Sequence, residues 1–163
     1  ARKKAKARQN ELVSAGALGP FFPTLNGGDE KAGKKVAFGH AAAQCIRCHK
    51  VGSSGGVLGP DLSKVASRLS PAKLLESLVD PQAQLTEGYG LLVATLKDGS
   101  TVTGSITQAT GENYQLQAPN GKESTLDRSL IASQILTSPM PPAATILSKR
   151  EIRDLIAFLS TLR

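Results

Sequence analysis

The sequence feature that most constrains this chain is the pentapeptide Cys45-Ile46-Arg47-Cys48-His49. Two thiols separated by two residues lie on one side of a helical turn, and a histidine follows the second thiol directly. This spacing is typical of a c-type haem attachment site, in which each sulfur bonds to one vinyl group of a single porphyrin. The adjacent imidazole then serves as an axial ligand to the iron. The motif therefore predicts one covalent haem c.

The same pentapeptide is compatible with other chemistry. A zinc site needs four ligands, but the only other histidine is His40 and the chain has no third cysteine. A thioredoxin-like redox pair belongs to a βαβ pattern, which this sequence does not have. A chance occurrence is the third alternative, and these five residues alone do not exclude it.

Met140 supports the haem hypothesis. It is the only methionine in the chain, and prolines flank it on both sides. A thioether is a soft ligand that suits haem iron, and His/Met ligation raises the reduction potential. Methionines more often fill gaps in a core, although a proline-braced loop is a less typical place for that role. We therefore expect His49 and Met140 to be the two metal ligands.

Two residues outside the motif are further candidates for cofactor binding. The backbone carbonyl of Pro60 is placed soon enough after His49 to accept its free ring N–H, although Gly-Pro also forms ordinary turns. Arg68 is a candidate to pair with a haem propionate, and a plain surface arginine is an equally good interpretation. We interpret His40 as a helix-surface residue and Asp61 as a cap.

Helical signals lie on both sides of a central segment with strand signals. Asp29 caps a helix that is predicted to run to about Ala43 and to lead into Cys45. A short helix over about Leu62–Leu69 follows, and then one with Ser70 as cap and Pro71 at its first position. Ser148 caps a final helix with a single apolar stripe.

Residues 88–137 have a different pattern, with short apolar or alternating runs separated by turn signals. Lys97-Asp98-Gly99 and Pro119-Asn120-Gly121 are hairpin and turn sequences. Four or five strands in about fifty residues predict a small antiparallel sheet or barrel. Because helices flank it, we interpret the segment as an insertion.

Residues 29–87 and 138–163 resemble a class I cytochrome c that is divided by this insertion. The matching features are the helix with Gly33 and Phe38, the Cys45–His49 motif, Gly59-Pro60-Asp61-Leu62, Ser138-Pro139-Met140-Pro141 and the closing segment Asp154–Leu159. More closely, the chain from Asp29 onward is similar to the haem-binding domain at the C-terminus of large dehydrogenase-like proteins of planctomycetes and verrucomicrobia. In that family a β insertion precedes the methionine loop.

This resemblance implies a mainly α cytochrome c fold of about four to five helices around the haem, α+β overall once the insertion is counted. Cys45 and Cys48 would form the thioethers, and the first and last helices would cross near Gly33 and Phe158. The family also implies export, to the periplasm or beyond, and an upstream catalytic domain outside this chain. The haem pocket is expected to contain Phe38, Leu62, Val65, Leu69, Leu74 and Leu78.

The charge is uneven along the chain, which carries a formal +7 at pH 7. Residues 1–11 hold five basic residues against Glu11, so the remaining 15 basic and 12 acidic residues leave only +3. We therefore predict a basic N-terminal helix or linker over residues 1–28, followed by the two parts of the cytochrome domain and the inserted 88–137 subdomain. With few aromatic residues and no apolar run long enough for a bilayer, neither nucleic acid nor a membrane span is expected.

The function that these observations favour is electron transfer, not catalysis, because two axial ligands leave little room for substrate at the iron. Expected partners are a dehydrogenase as donor and an oxidase or another cytochrome as acceptor. The alternative is a haem enzyme or a gas or redox sensor with an open or labile sixth site, as in peroxidases. A third hypothesis makes the sheet, which resembles a small SH3-like or Sm-like barrel, a docking module.

Overall fold

The computed structural model describes residues 16–163, which form helices at both ends of the chain and a five-stranded sheet between them. The α-helices are α1 (Glu30–Gly39), α2 (Cys45–Cys48), α3 (Pro71–Val79) and α4 (Lys149–Leu159). Short 3-10 helices cover Gly16–Leu25, Val65–Ser67, Arg128–Leu130 and Ala143–Thr145. The strands are β1 (Leu91–Leu96), β2 (Thr101–Ala109), β3 (Asn113–Gln117), β4 (Glu123–Asp127) and β5 (Ile131–Thr137).

The prediction of a mainly α cytochrome c fold is wrong. The structure is α+β, with 36% of the described residues in helices and 23% in strands. The sheet is a substantial unit because alternate strand residues bury one face and form a hydrophobic cluster of their own. Its buried members are Leu92, Ala94, Ile106, Tyr114, Leu116 and Leu126.

The sheet is antiparallel, with strand order β4-β3-β2-β1-β5. β1 and β2 form a hairpin around Lys97-Asp98-Gly99, in which Leu91 pairs with Ser105. Gly99 has a φ of +86°, which a glycine adopts at little cost in a tight hairpin turn. The last strand, β5, returns to pair with β1 on its other side. The prediction of several short antiparallel strands in this segment is confirmed.

The helices form a second hydrophobic cluster, whose centre is the crossing of α1 and α4. A Cβ added at Gly33 would contact the carbonyl oxygen of Asp154 and lie 2.8 Å from the Cβ of Phe158. The rings of Phe38 and Phe158 meet edge to face, with their centroids 6.3 Å apart. The predicted crossing near Gly33 and Phe158 is therefore confirmed.

Side chains cap the three longer α-helices at the positions that the sequence predicts. Asp29 accepts a hydrogen bond from the Ala32 N–H, and Ser70 accepts one from Lys73. Ser148 and Glu151 form a reciprocal capping box at the start of α4. The buried Asp154 carboxylate also accepts from the Asp29 N–H at 3.0 Å, so α4 holds the N-terminus of α1.

Two predicted helices are wrong in extent. The first ends at Gly39 and does not reach Ala43 or Cys45. Leu62–Leu69 contains only the 3-10 turn Val65–Ser67. In that segment the Ala66 N–H donates to the Leu162 carbonyl at 2.8 Å. In an α-helix over these residues, the same N–H would instead donate to a carbonyl within the helix.

The predicted basic helix over the first residues lies outside the described part of the chain. Residues 16–28 were expected to belong to the N-terminal helix or linker, and in the structure Gly16–Leu25 forms a 3-10 helix whose apolar side chains pack against the helical cluster. None of the helices that the structure describes is both long and apolar enough to cross a lipid bilayer.

Candidate functional site

Cys45 and Cys48 are the first and last residues of α2, a single helical turn. Both are half-buried free thiols. Burial raises the pKa of the Cys45 thiol, so this sulfur is protonated at neutral pH. The backbone N–H of His49 closes the turn by donating to the Cys45 carbonyl at 3.0 Å. The turn thus places two unpaired sulfurs directly before the imidazole.

A capped turn, not a continuous helix, leads into the motif. The Nδ1 atom of His40 accepts hydrogen bonds from the backbone N–H groups of Ala42, at 3.3 Å, and Ala43, at 3.0 Å. Gln44 then adopts the left-handed conformation, with a φ of 44°. His40 Nε2 also lies 3.5 Å from the Glu151 carboxylate. His40 is therefore not a helix-surface residue, and its ring shapes the approach to Cys45.

The imidazole of His49 is hydrogen-bonded as the sequence predicts, with Nδ1 at 2.8 Å from the Pro60 carbonyl oxygen. A carbonyl oxygen only accepts, so Nδ1 carries the proton and Nε2 keeps its lone pair. Burial lowers the pKa of this imidazole, although the hydrogen bond to Pro60 acts in the opposite direction. His49 is therefore neutral at pH 7, which is the form that binds a metal.

Gly59 also packs against this ring. A Cβ at this position would lie 2.6 Å from Cε1 and 2.7 Å from Nδ1 of His49, so only glycine leaves space for the imidazole. The Gly59 N–H donates to the Cys48 carbonyl at 2.8 Å, and the Gly56 N–H donates to the Ile46 carbonyl at 2.9 Å. These bonds hold the glycine-rich loop against α2 and fix His49 between Gly59 and Pro60.

Arg68 lies in the segment where a short helix was expected. Its Nη2 donates to the backbone carbonyl of Asp61 at 2.8 Å, in an exposed position. The Asp61 carboxylate accepts from the Ser63 N–H at 2.8 Å, so Asp61 caps a local turn. The pairing of Arg68 with a propionate stays a prediction.

Met140 follows β5 and is half-buried. It packs against the helical cluster, as does Ile46 of the motif. Its backbone N–H donates to the Ser138 hydroxyl at 3.2 Å. The motif turn and the methionine segment therefore border the same apolar core, although 91 positions separate Met140 from His49 in the sequence.

The residues that were expected to form the haem pocket all belong to this helical cluster. Val65, Leu74 and Leu78 are buried within it, whereas Phe38, Leu62 and Leu69 pack on its edge and stay partly exposed. The edge residues are apolar side chains with surface still available to a large apolar group.

Sequence reasoning missed three contacts of residues near these candidates. The contact of Gly59 with the ring depends on how the loop folds back, and a Gly-Pro pair signals only a turn. The role of His40 depends on the helix ending at Gly39. The third is Gln82, whose side chain bonds to the backbone at Ser138 across 56 residues; no local pattern indicates such a pairing.

No protein-family model and no curated protein matches this chain. Within residues 16–163, no group of three or more His, Cys, Asp or Glu side chains is placed to hold a metal ion. The potential donors that the structure describes are two thiols on one turn, a neutral imidazole with no hydrogen bond at Nε2, and, on the edge of the same helical cluster, the thioether of Met140. These are the residue types that a His/Met-ligated haem c would use.

Proposed function

We propose that this chain binds one haem c covalently and transfers single electrons. Cys45 and Cys48 would form the thioether bonds, and His49 and Met140 would be the axial ligands. The observation that carries the proposal is the state of His49. Its ring is fixed by Gly59 and Pro60 with Nε2 free, directly after two unpaired thiols.

The hydrogen bond between His49 and Pro60 supports an axial role in two ways. It sets the tautomer that leaves Nε2 free, and it increases the basicity of that nitrogen. Gly59 lies so close to the ring that a side chain there would overlap it, and the glycine thus leaves space for the imidazole in this orientation.

The apolar surroundings support electron transfer over substrate chemistry. The bound haem would supply one-electron cycling between ferrous and ferric iron. Phe38, Leu62 and Leu69 on the edge of the helical cluster would exclude water from the cofactor, and a site of low dielectric disfavours the more highly charged ferric state. If Met140 also held the iron, little room would remain there for a substrate, and the chain itself would be an electron carrier.

The partners and the location are part of the same proposal. The resemblance to the haem-binding domain of dehydrogenase-like proteins suggests a dehydrogenase as donor and an oxidase or a second cytochrome as acceptor. Attachment of a c-type haem and that resemblance both suggest an exported protein, for example a periplasmic one. Arg68, exposed beside Asp61, is proposed to contact a propionate.

The proposal is tested by visible spectra of the haem-loaded chain and of Met140→Ala, each ferric and ferrous, with and without carbon monoxide. Wild type is expected to be low-spin and unreactive toward carbon monoxide, while Met140→Ala becomes high-spin and binds it. Ile146→Ala is the matched control, because Ile146 also packs on the edge of the helical cluster after β5. This variant should behave as wild type does.

Two results would contradict the proposal in different ways. If the wild-type chain carries no covalent haem after expression with a haem-attachment system, the proposed cofactor is wrong. Rapid carbon monoxide binding by the wild type would instead show an open or labile sixth site, and a gas sensor or peroxidase-like enzyme would then be the better function.

A further inference from the structure

Gln82 and Ser138 join the two ends of the segment that contains the sheet. Gln82 lies between α3 and β1, and Ser138 directly follows β5. The Gln82 Nε2 donates to the Ser138 carbonyl at 2.9 Å, and the Ser138 N–H donates to the Gln82 Oε1 at 3.0 Å. One side-chain amide therefore satisfies both backbone groups of Ser138, in the way that a neighbouring strand would.

Ser138 in turn bonds to the residue that is the proposed iron ligand. Its hydroxyl accepts a hydrogen bond from the Met140 N–H at 3.2 Å. Three hydrogen bonds thus connect the Gln82 side chain, through Ser138, to the backbone of Met140. All three donor–acceptor distances are within the normal range for hydrogen bonds.

The prolines on both sides of Met140 limit the backbone conformations that connect it to Ser138. Pro139 has a fixed φ angle and no N–H to donate, and Pro141 restricts the backbone of the preceding Met140, so the backbone from Ser138 to Met140 has few free torsions. The position of Ser138 therefore sets the direction in which the Met140 side chain leaves the backbone. Because Gln82 bonds to both the N–H and the carbonyl of Ser138, its amide fixes the first residue of the loop that contains Met140.

We propose that Gln82 is a positioning residue for Met140, and that it keeps the thioether oriented as an axial ligand. This inference rests on the proposed haem function. Gln82 does not touch the iron or the haem in this role; it acts only through Ser138. The competing interpretation is that Gln82 merely closes the base of the sheet and has no influence on the ligand.

The test compares the haem-loaded full-length chain with Gln82→Ala and with Gln82→Leu, which keeps most of the side-chain volume but makes neither hydrogen bond. Gln84→Ala is the matched control, since Gln84 is an exposed glutamine two residues further along the same segment. The readout is the rate of carbon monoxide binding to the ferrous protein, which reports how often the sixth ligand leaves the iron. Circular dichroism checks that each variant retains its sheet and helices.

We expect both Gln82 variants to bind carbon monoxide about tenfold faster than wild type, because the lost hydrogen bonds no longer oppose movement of the loop. Their content of covalent haem should stay the same, and Gln84→Ala should match wild type. A faster rate in variants whose circular dichroism matches that of wild type would separate positioning from a purely structural role, because disruption of the sheet would change that spectrum.

Gln82 variants with wild-type binding rates would overturn this inference while leaving the proposed function intact. A wild type that lacks haem, or that binds carbon monoxide as fast as Met140→Ala, would overturn both. The wild-type measurement therefore distinguishes a failure of the inference about Gln82 from a failure of the proposed function.

Discussion

At the scale of single residues, the His49 ring contacts two consecutive residues of the loop that follows it, Gly59 and Pro60. The Pro60 carbonyl accepts a hydrogen bond from the Nδ1–H group, and Gly59 lies so close that a Cβ there would overlap the ring. The two residues adjoin each other, but they act differently. Pro60 sets which nitrogen is protonated, and Gly59 leaves the space that the ring occupies.

The contact at Gly59 gives a prediction that needs no cofactor. Gly59→Ala should destabilise the haem-free chain by about 1–3 kcal/mol, since the new Cβ would overlap the imidazole. Gly111→Ala is the control, because nothing lies within 4 Å of a Cβ at that position. Urea unfolding of the two variants measures the difference, and equal free energies of unfolding would show that the His49 ring is not packed against Gly59.

The same two residues show how far the sequence predicts this site. The Cys45–His49 motif contains its own spacing, so the two thiols and the imidazole follow from the local sequence. Pro60 was predicted as an acceptor because it lies soon after His49, whereas the contact of the neighbouring Gly59 with the ring depends on how the loop folds back. Local patterns predict the ligands here, and long-range packing decides how they are held.

At the scale of elements, the crossing of α1 and α4 organises the helical part. Gly33 and Gly39 lie in the same helix, but only Gly33 meets the facing helix. Gly33→Ala should destabilise the protein by about 1–3 kcal/mol through overpacking, in spite of the higher helix propensity of alanine. Gly39→Ala should be neutral or stabilising by up to about 1 kcal/mol, because it gains propensity without a clash.

Thermal unfolding monitored by circular dichroism checks this pair of variants. A Gly33→Ala protein with the stability of Gly39→Ala would mean that the two helices do not approach as closely as the structure has them. Since both substitutions change the same residue type within one helix, the comparison removes the general effect of replacing glycine by alanine.

Helix ends could be predicted where the signal is a local side chain. Asp29, Ser70 and Ser148 all cap the helices that they were expected to cap. The failure lies in Leu62–Leu69, whose apolar spacing resembles a helix. There the Ala66 N–H bonds to the C-terminal backbone at Leu162, and no periodicity within the segment reveals a partner so distant.

At the scale of the whole molecule, the buried hydrophobic residues form two clusters, one helical and one within the sheet. The error in the predicted fold class arises here. The cytochrome-like motifs lie outside the sheet, and on their basis the sheet was interpreted as a small insertion. The strands themselves were predictable from alternation, but their share of the buried core was not.

Separate clusters predict separate responses to core mutations. Leu116→Ala in the sheet and Leu155→Ala in α4 each remove a side chain that is 1% exposed. Each should cost about 2–5 kcal/mol in local stability. Amide hydrogen exchange should show the loss mainly in β1–β5 for Leu116→Ala and mainly in α1, α3 and α4 for Leu155→Ala. Uniform loss across both clusters in either variant would indicate a single cooperative unit.

The hydrogen bond from Asp29 to Asp154 has a consequence for the order of events during synthesis. The two residues are 125 positions apart, so the first helix emerges from the ribosome long before the helix that caps it. The sheet, by contrast, consists mostly of hairpins between consecutive strands and is complete at Thr137. We therefore expect the nascent chain to fold its middle first, and α1 to remain unsupported until α4 has been synthesised.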